Sequence, residues 1–353
     1  MSIVVKQSFF NLITIGVAFI IGAVNTLYLY PTFLGSKLQG LVIALLAISN
    51  IIQPFLSFGT QHAVIRFYSR YRSNKEKNAV LTLSLIIPII VTAVVIPLFY
   101  LYYDQIKVLL FQTENAFSQY AYVIMFIAVS TSFFEIFYSW VRVKLKSVFG
   151  NFLKELYPRL LVTFLLISYT LDYLDFENFI LYLIYGYYLR LLIVMVYSFI
   201  INKPKISFYF KNDFKEILRY SFLILLSGAA SSIILDIDKS MLSSILTVEN
   251  VAYYSVAIFI AAVIEIPGRA MFQILSPIVA EVINKNNKKK LKYLLKKSST
   301  NLVLVSSLFF LIINLNLNDF YEMLNQEGYS KGIPIVIIVS FAKLYSMSIG
   351  CIN

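Results

Sequence analysis

Residues 79–103 read AVLTLSLIIPIIVTAVVIPLFYLYY, 25 residues without a charged side chain, entered past Lys75 and Lys77 and left at Asp104. The hydrocarbon layer of a bilayer is about 30 Å thick and a helix rises about 1.5 Å per residue, so this run crosses it with length to spare. Runs of the same kind, bounded by charge or turn residues, recur near 9–34, 40–59, 118–141, 156–174, 179–201, 219–246, 251–272, 299–317 and 332–350. The sequence therefore predicts an all-α, polytopic integral membrane helical bundle of about ten transmembrane helices. The first run carries no small-residue cleavage site after its apolar part, so residues 9–29 read as a retained span.

Composition agrees. The 353 residues are 59% hydrophobic and only 14% charged, with mean hydropathy +0.78, whereas a soluble domain carries roughly 25% charged residues. The net charge of +12 is not a nucleic-acid footprint, because the basic residues sit in short loops between apolar runs. One set of alternate loops holds 23 of the 30 Lys and Arg, from Lys6 through Arg66–Lys77, Arg142–Arg159 and Lys203–Arg219 to Lys285–Lys297. The other set is acidic, with Asp104, Glu114, Asp172, Asp175, Glu177, Asp319, Glu322 and Glu327 against Lys37, Lys107 and Lys331. Loop asymmetry of this kind sets orientation, so the N-terminus is expected in the cytoplasm and the protein in the cytoplasmic (inner) membrane. The lysine run 285–297 reads as a topology anchor or as a lipid-headgroup site.

With one cysteine, Cys351, and one histidine, His62, neither a disulfide framework nor a multi-histidine metal site is available. No phosphate-cradling G-x-x-x-x-G-K-[ST] loop, H-E-x-x-H or G-x-S-x-G occurs, so no catalytic residues, cofactor or ATPase of its own is expected. The informative residues are charges inside spans, where each costs at least about 2.5 kcal/mol unless paired or facing a cavity. Arg190 lies near the middle of its span with Tyr182, Tyr185, Gly186, Tyr187 and Tyr188 around it. An arginine fork reads phosphate and tyrosines pack on sugars, so the cluster suits a phosphorylated glycan; the alternative is an arginine paired to Glu135.

Lys343 is read as pointing into a central cavity or as packing. Asp236, Asp238 and Lys239 are read as a cation or proton site, or as a self-neutralising pair, since Asp236 and Lys239 share a helix face. Glu265 and Arg269 flank Pro267, where a kink is expected. Glu135 reads as a partner for Arg142 or as an ion-coupling group, and Arg66 as an interfacial arginine or a phosphate contact. Gly16, Gly22, Ala23 and residues 227–232 are small and allow close helix approach. Laying residues 33–42 on 245–254 at an offset of 212 gives a weak repeat, and with it two lobes of similar build, 1–202 and 203–353.

Three stretches carry a resemblance: Phe33-Leu34-Gly35 with Gln39-Gly40-Leu41; Gly59 through Ala63-Val64-Ile65-Arg66-Phe67; and Asp238-Lys239-Ser240-Met241-Leu242 leading to Val251-Ala252-Tyr253-Tyr254-Ser255-Val256-Ala257. Together they resemble the O-antigen, Wzx-type flippases of the multidrug/oligosaccharidyl-lipid/polysaccharide exporter superfamily. The resemblance implies two six-helix lobes around a cationic cavity, passing a polyprenyl-diphosphate-linked oligosaccharide for lipopolysaccharide or capsule synthesis across the plasma membrane by alternating access, with Na+ or H+ as coupling ion. Arg66 carries over from its motif. Arg190, Arg269, Lys343, Tyr185 and Tyr188 are added as substrate contacts, and Glu135, Asp236, Asp238 and Glu265 as ion-coupling groups. Such proteins have twelve to fourteen helices, and the ten legible here fit a truncated or divergent member with an incomplete C-terminal lobe. A multidrug or lipid II exporter is the neighbouring reading. A glycan-modifying membrane enzyme such as an O-antigen polymerase needs a large external loop, and the outward loops here are short.

Overall fold

The computed structural model describes residues 3–350 except 112–114, 202, 204, 210–212, 270, 273–274, 276–278, 280–281, 283–284, 286, 325 and 327. Glu114, Lys211, Glu327, Cys351 and the side chain of Lys6 lie outside the described residues. Among the described residues there is no strand, and the protein is an all-α membrane bundle.

In chain order the helices are α1 (Ile3–Val24), α2 (Gly35–Ser57), α3 (Thr60–Arg70), α4 (Asn74–Leu101), α5 (Tyr103–Leu110), α6 (Tyr122–Arg142), α7 (Tyr157–Thr170), α8 (Phe176–Ile201), α9 (Phe214–Ile245), α10 (Val248–Ala262), α11 (Lys288–Leu315), α12 (Leu317–Leu324) and α13 (Ile333–Ile349). Nine stretches among the described residues are long and apolar enough to cross a membrane; they take in α1, α2, α4, α6, α8, α9, α10, α11 and α13. The run expected at 156–174 is helical but differs from them. Its α7 has 14 residues and continues backwards through a π-helical turn, Phe152–Leu156, into Ser147–Asn151. Lys154, Glu155 and Arg159 lie in that extension and in the first turn of α7, which is why composition separates it from the other nine. Many apolar side chains point outward along the spans, Ile234 at 74% and Ile338 at 69% exposure among them, as expected of surfaces solvated by lipid chains rather than by water.

The chain forms two compact units. One comprises Met1–Asn25 with Lys37–Val251, the other Thr26–Ser36 with Ala252–Asn353. In the first, Phe67, Leu81, Phe134, Trp140 and Val141 form the centre of a core joining α3, α4 and α6, and the Trp140 indole donates to Ser84 Oγ at 3.0 Å. In the second, Ala252, Val256 and Ala257 of α10 pack with Leu317 and Tyr321 of α12 and Val336 of α13. One turn before Pro267, where a kink is expected, the helix tightens into a 3-10 turn, Val263–Glu265, because a proline withdraws the donor that would close an α-turn.

Small residues act unequally. Gly22 lies directly under the Arg159 side chain: a Cβ there would stand 2.8 Å from Nε, so that flexible side chain would have to shift. Gly16, expected at a close helix approach, is exposed and has nothing near it. Gly59 is the decisive glycine. Its φ of +66° turns the chain from α2 into α3, and a Cβ there would collide with the Ser221 carbonyl of α9.

Candidate functional site

The bend at Gly59 sends α3 along α9, and the i, i+4 spacing then places His62, Arg66 and Arg70 on one stripe. Because α9 runs the other way, each stripe residue meets a residue earlier in it. The Arg66 guanidinium lies 4.3 Å from the centre of the Tyr220 ring. Arg70 Nη1 donates to both carboxylate oxygens of Glu216, at 2.9 and 3.0 Å, and Tyr71 OH donates to Asp213 Oδ2 at 2.8 Å. The bond to Glu216 raises the Arg70 pKa, and burial followed by the bond to Asp213 raises that of Tyr71, so both donors keep their protons throughout the physiological range.

His62 opens into a crevice of about 210 Å³ lined by Gln53, Pro54, Gly59, Gln61 and Ile65, by Glu135, Ser139 and Arg142 of α6, by Lys154, and by Ile224, Leu225, Gly228 and Ser232 of α9. Glu135 is bound by Lys154 Nζ at 2.7 Å. The partner anticipated for Glu135 was Arg142 or Arg190; Lys154 takes the place because the π-helical turn Phe152–Leu156 brings it there. Arg142 is exposed, with its guanidinium 5.6 Å from the centre of the Tyr138 ring. Desolvation lowers the His62 pKa, opposed by Glu135 and reinforced by Arg142 and Lys154, so at neutral pH the imidazole is uncharged. Two cations then face one carboxylate, a positive excess in a space that also holds the buried, unpartnered Gln53 Nε2 and Gln61 Oε1.

Arg190 is differently placed. It is 4% exposed, with its guanidinium 4.3 Å from the centre of the Phe134 ring and 4.6 Å from that of Tyr187, and its Nη2 donates to Thr131 Oγ1 at 3.2 Å. The sequence places it at a water-filled cavity; the structure buries it against two rings, where α6 and α8 also meet through Ser130 Oγ, which donates to the Tyr187 carbonyl at 2.8 Å, and through the rings of Phe137 and Phe199. Tyr185 is 57% exposed and lines an apolar cavity of about 550 Å³ with Tyr157, Leu161, Phe164, Tyr182 and Leu189. Tyr188 packs on Phe126, ring centres 6.5 Å apart. Neither Tyr185 nor Tyr188 is brought to the crevice.

Asp236 is bound by Lys239 Nζ at 2.5 Å, the pairing that their spacing predicts, and Asn50 Nδ2 donates to its other oxygen at 3.2 Å. Asp238 has interactions of its own and is not at the crevice. In the second unit Glu265 accepts from Lys343 Nζ at 3.0 Å and from Arg269 Nη2 at 3.3 Å, so the two cations nominated there share one carboxylate. Among the described residues no cluster of metal-ligating side chains occurs.

Sequence reasoning missed His62, Lys154 and Arg142 as members of one site. The i, i+4, i+8 stripe His62–Arg66–Arg70 was the available signal. It also missed Asn25, buried in the π-helical turn Asn25–Leu29, whose amide donates to the Arg159 carbonyl at 2.9 Å and accepts from Thr163 Oγ1 at 2.8 Å.

A family model described as "Polysaccharide biosynthesis protein" matches residues 4–283, most of the chain and all the crevice residues. No curated protein and no solved structure matches it.

Proposed function

We propose, since the chain belongs to the polysaccharide biosynthesis protein family, that this multi-pass membrane protein with a transporter-type role moves a polyprenyl-diphosphate-linked oligosaccharide across the cytoplasmic membrane. It does so as a flippase, without covalent chemistry. The N-terminus and the loops richest in Lys and Arg lie in the cytoplasm, which puts Arg66, Arg70 and the crevice at the inner end of the bundle. The carrying observation is the crevice itself: Arg142 and Lys154 against a single carboxylate, Glu135, with Arg66 one turn beyond His62. A diphosphate is the group on such a substrate that this excess of positive charge would recognise, because arginine forks bind phosphate oxygens two at a time.

In this reading residues 1–202 and 203–353 are the two lobes of an alternating-access carrier, and the stripe on α3 and its partners on α9 form the inner gate. Arg269 and Lys343 serve the diphosphate in the second lobe when they leave Glu265. Arg190 holds α6 to α8. Glu135, Asp236, Asp238 and Glu265 are the carboxylates through which Na+ or H+ would be coupled.

The test is transport of a fluorescent polyprenyl-diphosphate oligosaccharide in proteoliposomes. The wild-type chain is expected to move it, and Arg142→Ala is expected to slow it about tenfold or more, as for a lost charge-assisted contact. Equal rates in liposomes with and without the protein would overturn the proposal.

A further inference from the structure

The helix α11 opens KKKLKYLLKK, with lysine at 288, 289, 290, 292, 296 and 297. Along the chain Glu281 is the last carboxylate before it and Asp319 the next after it. The Asn287 side chain accepts from the Lys290 N–H at 3.0 Å and starts the helix there, so these lysines stand at helical positions and not in a loop. Lys288, Lys292 and Lys296 form one row at i, i+4 spacing, and Lys289, Tyr293 and Lys297 form the row beside it. All these side chains are exposed, while Leu291, Leu294 and Leu295 are half-buried and Ser298 is buried. Ser299 Oγ donates to the Ser348 carbonyl of α13, which fixes the rotation of α11 with its lysine rows turned outward.

We infer that this face of α11 binds the phosphate headgroups of anionic phospholipids. Depth is the first argument. The helix has 28 residues, about 42 Å at 1.5 Å per residue, against about 30 Å of hydrocarbon. Counted back from Leu315, about 20 residues cross the hydrocarbon, which brings Lys296 and Lys297 to its boundary and Lys288–Lys292 into the headgroup layer. Tyr293 marks the same level, 60% exposed, with Lys297 Nζ 5.7 Å from its ring centre, as suits an aromatic residue at a membrane boundary.

Charge is the second. Lys154 has Glu135 and Arg70 has Glu216, whereas among the described residues none of the six lysines on α11 has a carboxylate partner. Like charges four residues apart repel, and these stand at the positive end of the helix dipole, so the segment is strained electrostatically until an outside anion relieves it. A phosphatidylglycerol phosphate does so. A phosphatidylcholine headgroup carries its own cation, which offsets the attraction. A role confined to orienting the chain during insertion needs positive charge in the loop, but no ordered rows at phosphate depth. A nucleic acid would have to reach Lys296 and Lys297 at the edge of the hydrocarbon.

The inference does not depend on what the chain transports, and its test reads lipid alone. The full chain, as Cys351→Ser with Thr300→Cys, carries a bimane at the exposed position 300, one turn past Lys296, in nanodiscs doped with brominated phosphatidylglycerol or brominated phosphatidylcholine. Quenching is expected to show phosphatidylglycerol enriched about fivefold or more at this site, the contribution of a single lysine near anionic lipid being already about fivefold. Replacing Lys288, Lys289, Lys292 and Lys296 together by Gln should bring the preference within about twofold of equality, and replacing them by Arg should retain it. Replacing Arg72, Lys75, Lys203 and Lys205 by Gln, the same loss of charge elsewhere, should leave it. The wild-type preference should also fall between about 0.05 and about 0.5 M NaCl. Equal quenching by the two lipids, a preference that survives the α11 Gln variant, one lost equally in both Gln variants, or one indifferent to salt overturns the inference. So does release of phosphatidylglycerol by an equimolar single-stranded RNA, which would make nucleic acid the ligand.

Discussion

Arg66 and Arg190 both lie on aromatic faces, at 4.3 Å from the ring centres of Tyr220 and Phe134 respectively, yet only one of them is available to a ligand. Arg66 stands on a short helix set off by a bend and is exposed, although the rings of Tyr220, at 4.3 Å, and Phe67, at 5.6 Å, both lie beside its guanidinium. Arg190 stands inside a 26-residue span with a second ring, Tyr187, closing the other side. An exposed guanidinium beside rings still has donors to offer. One held between two rings has exchanged water for π-faces and a single hydroxyl, and functions as a packing element. Position along a span therefore does not decide whether an arginine is a site; what decides it is whether a neighbouring helix seals it.

The largest effect is expected where the open arginine is held in place. Gly59→Val forces a branched residue to positive φ and drives its side chain into the Ser221 carbonyl, at a cost of about 3 kcal/mol or more. Thermal melts of the purified protein should show it, and a variant melting with the parent would mean that the bend does not position α3. Next come the two arginines compared directly. Arg66→Met should lower lipid-diphosphate transport about tenfold, while Arg190→Met, which keeps volume and removes a buried cation without a carboxylate partner, should leave transport within about twofold and alter stability by about 1 kcal/mol or less. The reverse order of effects would exchange their roles.

A smaller effect separates the crevice by pH. The folded-state His62 pKa lies below its ordinary value, so on acidification the unfolded chain takes up a proton before the folded one does. Stability from this group is present above about pH 6.5 and falls as pH drops through that value. Glu135 partly offsets the fall, and Arg142 and Lys154 deepen it. Melts from pH 8 to pH 5 should decline less steeply for His62→Gln than for the parent, and parallel curves would remove the imidazole from the account. The smallest effect belongs to Arg70 and Glu216, a solvent-exposed pair whose coupling in a double-mutant cycle should be slight and should shrink with salt.

Sequence alone carried the spans well, because hydropathy over 20 residues is a one-dimensional property. It also offered the pair set by helix spacing, Asp236 with Lys239, though not Glu265 with Arg269, which were read separately. It could not place Lys154 on Glu135, since that contact depends on a π-helical turn that shifts the following side chains by one position, and no residue in Phe152–Leu156 announces such a turn. Nor could it see that Arg190 is sealed, because Phe134 lies 56 positions away on another helix, and the same rings that close the cage would look alike lining a cavity.

The central claim is that the α3 stripe is open to water while Arg190 is not. It is tested most directly by thiol labelling in a Cys351→Ser background, with Arg66→Cys and Arg190→Cys made separately and a membrane-impermeant maleimide added to oriented vesicles. The account predicts prompt labelling at 66, from the cytoplasmic side alone and slowed by bound lipid-diphosphate glycan, and none at 190 until the protein is unfolded. Labelling at 190 as fast as at 66 in the folded protein would contradict it.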